Sequence, residues 1–396
     1  MITELKNEIY WIGFVDWNVR DFHGYETDKG STYNAYLIKD EKTAVVDSVK
    51  APYWETLVKN IKKYTKLEDI DYIICNHAEP DHSGSIPKLV ELCPQAEVIC
   101  NAKCKNFLTM YYDTTNWKFK VIKEGDSVSL GKRSATFFDT PMAHWPESMM
   151  TYVPEEKLLF SMDAFGQHYA TSGRFDEDAP LSEIILEATK YYANIIMPLG
   201  RQVVKALEKA SQFDIEMIAP SHGIIWKKEI PTIIELYKKW ATYQVDKKVV
   251  VFYDSMWMST DMMANAIYEG AQSIPGVEVK LYDIKVTHIT ELATQIIDCA
   301  AFAVGSPTLN MTLMPKIAEA LTYLQGLGPQ NKLALSFGSY GWAKKAGQHQ
   351  IIDYLKKMKV TLADEEPYQS QFKPTEEVLQ KGFEYGVKLA KYAKEQ

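Results

Sequence analysis

The sequence predicts an α/β protein of two domains: a mixed domain over residues 1–246 and a doubly wound parallel sheet over residues 247–396. The first observation is the length, because 396 residues exceed the roughly 150 residues of a typical domain. The second is the composition. Its 46% apolar and 24% charged residues are typical of a globular protein and exclude a disordered or fibrous chain. The third is a change of pattern near residues 244–248, where strands and helices begin to alternate strictly.

The first domain is predicted from short apolar runs that end in turn residues, a pattern typical of strands. These runs are Ile9–Phe14, Tyr36–Ile38, Ala44–Val46, Tyr72–Ile74, Thr136–Phe138, Leu158–Phe160 and Met217–Ala219. Only Asp40, Glu41 and Lys42 separate the strands expected at 33–39 and 43–48, which favours an antiparallel hairpin. Helical periodicity predicts helices at Pro52–Tyr64, Ile86–Leu92, Leu181–Leu207 (with a break at 198–200) and Ile230–Tyr243.

The second domain is predicted from the strict alternation. Its strands are expected at Lys248–Tyr253, Val277–Ile284, Ala300–Gly305, Lys332–Phe337 and Val360–Leu362. Its helices are expected at Thr260–Ser273, Thr290–Asp298, Met314–Gln325, Gln348–Met358 and Thr375–Lys394. Five such strand–helix units predict a parallel, doubly wound sheet of flavodoxin-like size.

Charge and cysteine content narrow the possible partners and the compartment. The formal net charge is −8, which disfavours a nucleic-acid partner. No run of 18 uncharged apolar residues predicts a membrane span, and the start of the chain lacks the basic and apolar regions of a secretory signal. Five cysteines without a C-x-x-C pair indicate a reducing compartment. We therefore expect a cytoplasmic protein that binds neither nucleic acid nor membrane.

Residues 76–82 contain the densest group of potential metal ligands. They read Asn-His-Ala-Glu-Pro-Asp-His, an H-x-E-x-D-H motif directly after an apolar run. Burying so many charged groups is costly unless a metal or ion pairs compensate them. Three further candidates, His144, Asp163 and His222, also follow apolar strands. Loops at one end of a rigid sheet are where such side chains converge, so the sequence predicts a two-metal site.

Three loops at the carboxyl ends of the second domain's strands form a second candidate site. Ligands of doubly wound sheets bind there, and a helix N-terminus with hydroxyl groups is suited to a phosphate. The aromatic residues Trp257, Tyr340 and Trp342 are suited to flank a flat ring such as a flavin. The candidate binding residues are Ser255, Met256, Trp257, Met258, Ser259, Thr260, Ser306, Pro307, Thr308, Leu309, Asn310, Gly338, Ser339, Tyr340, Gly341 and Trp342.

The order of the candidate ligands resembles that of the metallo-β-lactamase superfamily. The zinc hydrolases of that superfamily usually have H-x-H-x-D-H, whereas this sequence has Glu79 at the second histidine. A carboxylate oxygen there favours iron over zinc. With a flavodoxin-like domain following, the whole chain resembles the flavodiiron proteins. The resemblance implies a metallo-β-lactamase-like αββα sandwich followed by a flavodoxin-like doubly wound sheet.

The resemblance also implies a role for each candidate residue. One iron would be held by His77, Glu79 and His144, the other by Asp81, His82 and His222, with Asp163 as the bridge. The position of His82 does not ligate iron in some family members. His23 and Tyr191 fall where the family has pocket-lining groups that can donate hydrogen bonds to a substrate. FMN rather than FAD is implied, because no G-x-G-x-x-G motif opens the second domain.

The implied activity is electron transfer from FMN to a non-haem diiron centre that reduces dioxygen to water, nitric oxide to nitrous oxide, or both. The family also implies a head-to-tail homodimer or a dimer of dimers. Rubredoxin is the expected electron donor, with a reduced deazaflavin as the alternative. Because the chain has no C-x-x-C pair, we expect that donor to be separate from it. Two other hypotheses remain open: a dizinc hydrolase with a flavodoxin-like module, and an electron carrier with a degenerate metal site.

Overall fold

The apolar runs of the first part of the chain form two β-sheets. The computed structural model describes residues 3–396. The strands are β1 Thr3–Lys6, β2 Ile9–Trp11, β3 Phe14–Asp16, β4 Asp21–Phe22, β5 Tyr25–Glu26, β6 Ser31–Tyr33, β7 Tyr36–Ile38, β8 Thr43–Val46, β9 Ile70–Ile74, β10 Glu97–Asn101, β11 Lys118–Ile122, β12 Ser127–Ser129, β13 Ser134–Asp139, β14 Met149–Val153, β15 Leu158–Met162 and β16 Met217–Pro220. Seven strands form the first sheet in the order β1-β2-β7-β8-β9-β10-β11, and five form the second in the order β12-β13-β14-β15-β16.

Within residues 3–246, seven α-helices accompany these strands. They are α1 Trp54–Ile61, α2 Pro80–Ser83, α3 Ile86–Leu92, α4 Ala102–Tyr111, α5 Leu181–Tyr191, α6 Gly200–Ala210 and α7 Ile230–Ala241. Short 3-10 turns lie at Ala51–Tyr53, Leu67–Asp69, Pro154–Glu156, Asp176–Asp178 and Met197–Leu199, and Tyr192–Ile196 is π-helical. The 3-10 turn at Met197–Leu199 overlaps the break predicted at 198–200, and the interruption begins earlier, with the π-helical stretch.

The two sheets pack face to face around one apolar core. Ile74 of the first sheet and Phe137 of the second are both fully buried in it. The other face of the first sheet packs against α1, α3 and α4. On the second sheet, Lys209 of α6 donates a hydrogen bond to the Asp139 carbonyl at the end of β13, 2.8 Å away. Helices therefore lie outside two packed sheets, which confirms the predicted αββα sandwich.

The second part of the chain forms one parallel sheet. Its strands are β17 Asp246–Tyr253, β18 Glu278–Asp283, β19 Cys299–Gly305, β20 Leu333–Tyr340, β21 Thr361–Leu362 and β22 Tyr368–Gln371. Its helices are α8 Ser259–Gln272, α9 Ile289–Ile296, α10 Pro315–Leu327, α11 Gly347–Met358 and α12 Glu376–Glu395. The order is β18-β17-β19-β20-β21, and β22 also pairs with β20. This order is the flavodoxin-like doubly wound arrangement that the alternation predicts.

The last strand of this sheet differs from the prediction. Of the strand expected at Val360–Leu362, only the two residues of β21 form a strand, and the sheet continues as β22 after an interruption at 363–367. That interruption contains three acidic residues and a proline, which cannot donate a hydrogen bond to the ladder. Both segments pair in parallel with β20. The sequence of β22 is Tyr-Gln-Ser-Gln, so no apolar run marks it as a strand.

The chain divides into two compact units. One comprises the residues up to Tyr191 together with Arg201–Lys238, and the other comprises Tyr192–Gly200 together with Lys239–Gln396. The domain boundary predicted between residues 246 and 247 falls at the start of β17 and stays a prediction.

Candidate metal centre and flavin pocket

Strand ends carry all seven candidate metal ligands. Residues 76–82 follow β9 and pass into the short helix α2. His144, Asp163 and His222 follow β13, β15 and β16, which run in the same direction in the second sheet. A strand that ends at a sheet edge places the next side chains at that edge, so ligands far apart in sequence converge there.

The seven side chains form two groups. The first is His77, Glu79, His144 and Asp163, and the second is Asp81, His82 and His222. In each group the candidate ligand atoms all lie within 4.8 Å of one another.

The Asp163 carboxylate faces both groups. Its Oδ2 lies 3.1 Å from His144 Nε2 and 3.4 Å from His77 Nε2. Its Oδ1 lies 3.0 Å from His82 Nε2 and 3.6 Å from His222 Nε2. This is the position expected of a carboxylate that bridges two metal ions.

The hydrogen bonds around the two groups test whether metal ions fit. Asp81 Oδ1 is buried and makes no hydrogen bond within residues 3–396, and the buried His82 Nε2 faces the carboxylate oxygens of Asp163 and Asp81 at 3.0 and 3.4 Å. His222 Nδ1 lies 2.6 Å from the Thr32 carbonyl oxygen, an arrangement in which Nδ1 donates and Nε2 keeps its lone pair for a metal. Histidine nitrogens combined with three carboxylates are ligands that iron accepts. The residues present therefore fit two iron ions.

The carboxylates also change how the histidines titrate when no metal is bound. Burial disfavours the charged ring of His77, but hydrogen bonds to Glu147 and Glu79 outweigh it and raise its pKa to about 10. His144 has its pKa raised to about 10 by Asp163 and Glu79, against the same cost of burial. Burial likewise opposes the charge on His82, but Asp81 and Asp163 raise its pKa to about 9. Without metal, protons on these rings take the place of the cations.

The metal-free protein should therefore lose stability as the pH rises from 7 to 9. The three histidines bind protons more tightly in the folded chain than at the ordinary histidine pKa of about 6.5, so their contribution is complete below that pH. Above it, each proton held only by the folded state lowers the free energy of unfolding by about 1.4 kcal/mol per pH unit. Urea unfolding of chelator-treated protein at pH 7, 8 and 9 measures this slope. A slope equal to that of the iron-loaded protein would contradict the prediction.

Three further side chains lie beside the two groups. His23 Nε2 is 3.4 Å from Glu79 Oε1, and the His23 side chain is 67% exposed. Tyr191 is buried, with its ring centroid 6.0 Å from that of His222. His168 lies 5.0 Å from the Tyr191 ring and 4.8 Å from the His222 ring. The His168 Nδ1 is 2.8 Å from Ser31 Oγ, while its buried Nε2 makes no hydrogen bond in the described chain.

The second unit contains a cavity of about 760 Å³ at the carboxyl ends of its strands. All three predicted loops line it. Trp257 and Trp342 are 88% and 91% exposed, so their indole faces are available to a ligand. Ser255 Oγ, in the first loop, is buried and makes no hydrogen bond within the described residues. A free hydroxyl before α8 and exposed aromatic rings fit a phosphate and a flat ring system, which are the two parts of FMN.

The cavity contains most of the predicted flavin residues but not all. Those that line it are Met256, Trp257, Met258, Ser259, Pro307, Thr308, Asn310, Ser339, Tyr340, Gly341 and Trp342. Ser255, Thr260, Ser306, Leu309 and Gly338 do not line it. Two of these instead hold the loops in place. Thr260 Oγ1 lies 3.1 Å from Ser339 Oγ, and Ser306 Oγ accepts a hydrogen bond from the Met314 amide.

Several site residues were not predicted from the sequence. In the flavin pocket these are Met262, Met311, Ala343, Phe372 and Lys373. Phe372 and Lys373 directly follow β22, the strand that the sequence did not reveal. At the metal groups the missed residues are Glu147 and the Thr32 carbonyl, the partners of His77 and His222. A carbonyl leaves no signal in the sequence. The only cue for Glu147 is its place three residues after His144.

Comparison with known proteins identifies the family. Residues 32–223 match the family model of the ODP family beta lactamases, and residues 251–384 match that of flavodoxin. A nitric oxide reductase of Moorella thermoacetica is 46% identical over 98% of this chain and 97% of that protein. The structure of the flavodiiron protein of Giardia intestinalis is 38% identical with a TM-score of 0.97, covering 100% of this chain and 97% of that chain. The chain belongs to the flavodiiron proteins.

A second solved structure is nearly as similar to this flavodiiron protein. Rubredoxin oxygen:oxidoreductase of Desulfovibrio gigas is 35% identical with a TM-score of 0.95, covering 100% of this chain and 99% of that chain.

Family membership confirms the main expectations from the sequence. The protein is a flavodiiron oxidoreductase, and its cofactors are FMN and a non-haem diiron centre. The alternative of a dizinc hydrolase is not supported. Within residues 3–396, no helix combines the length and apolarity needed to cross a bilayer. The assignment of individual ligands and flavin contacts stays a prediction.

Proposed function

We propose that this flavodiiron protein reduces nitric oxide to nitrous oxide, with electrons that enter at FMN and leave at the diiron centre. The observation that carries the proposal is the Asp163 carboxylate, which lies between two buried groups of histidine and carboxylate ligands. Nitric oxide is favoured because the 46% identical relative from M. thermoacetica is named a nitric oxide reductase. Reduction of dioxygen to water is the second candidate, favoured by the name of the D. gigas protein.

In this proposal the seven residues divide as the structure groups them. His77, Glu79 and His144 would hold one iron, Asp81, His82 and His222 would hold the other, and Asp163 would be shared between them. Three carboxylates balance most of the charge of two ferrous ions, which makes a buried site tolerable. The buried Nε2 of His82, 3.0 Å from Asp163 Oδ1 and 3.4 Å from Asp81 Oδ2, supports its place as a ligand.

Reduced FMN and two ferrous ions together supply up to four electrons. Two molecules of nitric oxide need two electrons and two protons to give nitrous oxide and water. Dioxygen needs four of each to give two waters. Protons must therefore reach the site, and the exposed His23 beside Glu79 is placed to exchange them with solvent. The buried Tyr191 is placed near His222 to donate a hydrogen bond to a bound substrate.

We further propose a rubredoxin-type donor and a cytoplasmic location. The donor is supported by the name of the D. gigas protein, and a reduced deazaflavin remains the alternative. All five cysteines are unpaired, which suits a reducing compartment. The two cofactors belong to different compact units. A head-to-tail homodimer, or a dimer of dimers, would pair the flavin unit of one copy with the metal unit of another.

Anaerobic turnover with both oxidants tests this function. Protein containing iron and FMN is reduced by rubredoxin and its reductase, then given nitric oxide or dioxygen in parallel. We expect one nitrous oxide for every two nitric oxides consumed, measured by gas chromatography. Faster consumption of dioxygen, without release of peroxide, would assign the second candidate instead. Oxidation of FMN with neither gas consumed would contradict the proposal.

A further inference from the structure

Glu147 lies behind His77, on the side of the ring away from the candidate metal position. His77 Nδ1 lies 2.8 Å from Glu147 Oε1, while His77 Nε2 lies 3.1 Å from Glu79 Oε2. Neither the His77 nor the Glu147 side chain has any exposed surface. The Ala78 amide also donates to Glu147 Oε1, at 3.0 Å. A carboxylate acceptor therefore fixes the His77 ring, with Nε2 left for the metal.

The position of Glu147 is set by the structure around it. Asn101 Nδ2 donates to the Glu147 backbone carbonyl at 2.8 Å, and Asn101 Oδ1 accepts from the Cys104 amide at the start of α4. The second carboxylate oxygen, Oε2, is buried and has no hydrogen-bond partner in the described part of the chain. The polar contacts of this carboxylate are therefore concentrated on His77 and the adjacent amide.

The second ligand group has no equivalent of Glu147 among the described residues. His222 Nδ1 is paired with a neutral backbone carbonyl, that of Thr32. His82 Nδ1 is buried and makes no hydrogen bond within residues 3–396. The groups are alike in ligand number, because each has two histidines and one carboxylate of its own, Glu79 or Asp81, and both face Asp163. The negative charge behind His77 distinguishes the first group from the second.

We propose that Glu147 makes the two irons inequivalent in reduction potential. A histidine that donates a hydrogen bond to a carboxylate is a stronger electron donor, and it stabilises the ferric state of its iron. The iron of the His77 group is then the harder one to reduce. The iron that Asp81, His82 and His222 would hold would then be the easier of the two to reduce. This inference rests on the proposed division of ligands between two irons, and it makes Glu147 a positioning residue.

Substitution Glu147→Gln tests the inference without an activity assay. Wild-type and variant proteins that both contain two irons and one FMN are titrated with a reductant, and the mixed-valent signal is followed by electron paramagnetic resonance. Loss of the charge should raise the second reduction potential more than the first. We expect the comproportionation constant to fall at least tenfold. For one-electron steps, a tenfold fall means that the difference between the two reduction potentials narrows by about 59 mV. The maximum mixed-valent signal should fall accordingly.

Asp47→Asn is the matched control. Asp47 is also a buried carboxylate near the site, but it accepts hydrogen bonds from Asn76 rather than from a candidate ligand. We expect this variant to shift both potentials in the same direction and to keep their separation within about twofold in the comproportionation constant. Equal narrowing in Asp47→Asn and Glu147→Gln would overturn the role of the His77 hydrogen bond.

A second variant keeps the inference testable if Glu147→Gln does not retain iron. Glu147→Asp keeps the charge but withdraws the carboxylate from His77 by one methylene. The comproportionation constant should therefore fall by less than tenfold. An unchanged separation in either iron-loaded variant would overturn the inference while leaving the proposed function intact. Wild-type protein without iron would instead overturn the proposed function.

Discussion

Replacing Asp163 with alanine should remove both irons and abolish gas reduction, while FMN stays bound and reducible. Among the described residues, Asp163 is the one carboxylate within 3.6 Å of histidine nitrogens from both ligand groups. Its loss also leaves four histidines facing a buried space with less negative charge. Changes behind metal ligands typically cost 10–100-fold in metal affinity, so we expect loss of a bridging ligand to cost more than about 100-fold.

Metal content, flavin content and turnover are measured together for this variant. Asp214→Ala is the matched control, because Asp214 is a largely exposed aspartate whose ion pair with Lys157 lies on the surface. The control should keep iron, FMN and turnover at wild-type levels. If Asp163→Ala retained two irons and at least a tenth of wild-type turnover, Asp163 would not bridge the centre.

Replacing Gly338 with alanine should release FMN and leave the irons in place. Gly338 lies near the end of β20, at the first residue of the third predicted flavin loop, with a backbone φ of +150°. A Cβ atom there would lie 1.9 Å from the Ser306 carbonyl oxygen, in the loop that carries the neighbouring pocket residues. The backbone of β20 and the loop after β19 must move apart to accept it, and both adjoin residues that line the pocket. Strain of this kind costs about 1–3 kcal/mol, which corresponds to roughly 10–100-fold weaker FMN binding.

The matched control is Gly326→Ala in α10 of the same unit. A Cβ at Gly326 meets nothing within 4 Å, and alanine favours helix over glycine by up to about 1 kcal/mol. This variant should keep FMN and gain slightly in stability. Fluorescence titration of FMN into flavin-free protein gives both affinities. An affinity for Gly338→Ala within twofold of the wild-type value would show that the loops tolerate the methyl group.

The metal ligands could be predicted because each follows a recognisable strand. The H-x-E-x-D-H motif concentrates four ligands after β9, and His144, Asp163 and His222 obey the same placement rule. These side chains come together because two sheets pack against each other. The short apolar runs of the first domain predict the strands of those sheets. The division into two groups was implied by the family resemblance and not by the residues themselves, because sequence order alone interleaves their members.

Glu147 could not be predicted because a glutamate in a loop is usually exposed. Its partner His77 lies 70 residues earlier, and only the fold brings them together. The missed flavin residues Phe372 and Lys373 have a similar explanation, since β22 lacks an apolar run. A periodic pattern of apolar residues predicts which face of a helix or strand is buried. A single contact made by a loop residue has no such pattern and cannot be predicted in this way.

The amounts of iron and flavin in the purified wild-type protein test the central claim most directly. Iron and zinc are measured by mass spectrometry, and FMN by absorbance after release, each relative to protein concentration. The proposed centre and pocket predict two irons and one FMN per chain, with no stoichiometric zinc. Two zincs per chain without flavin would contradict the account.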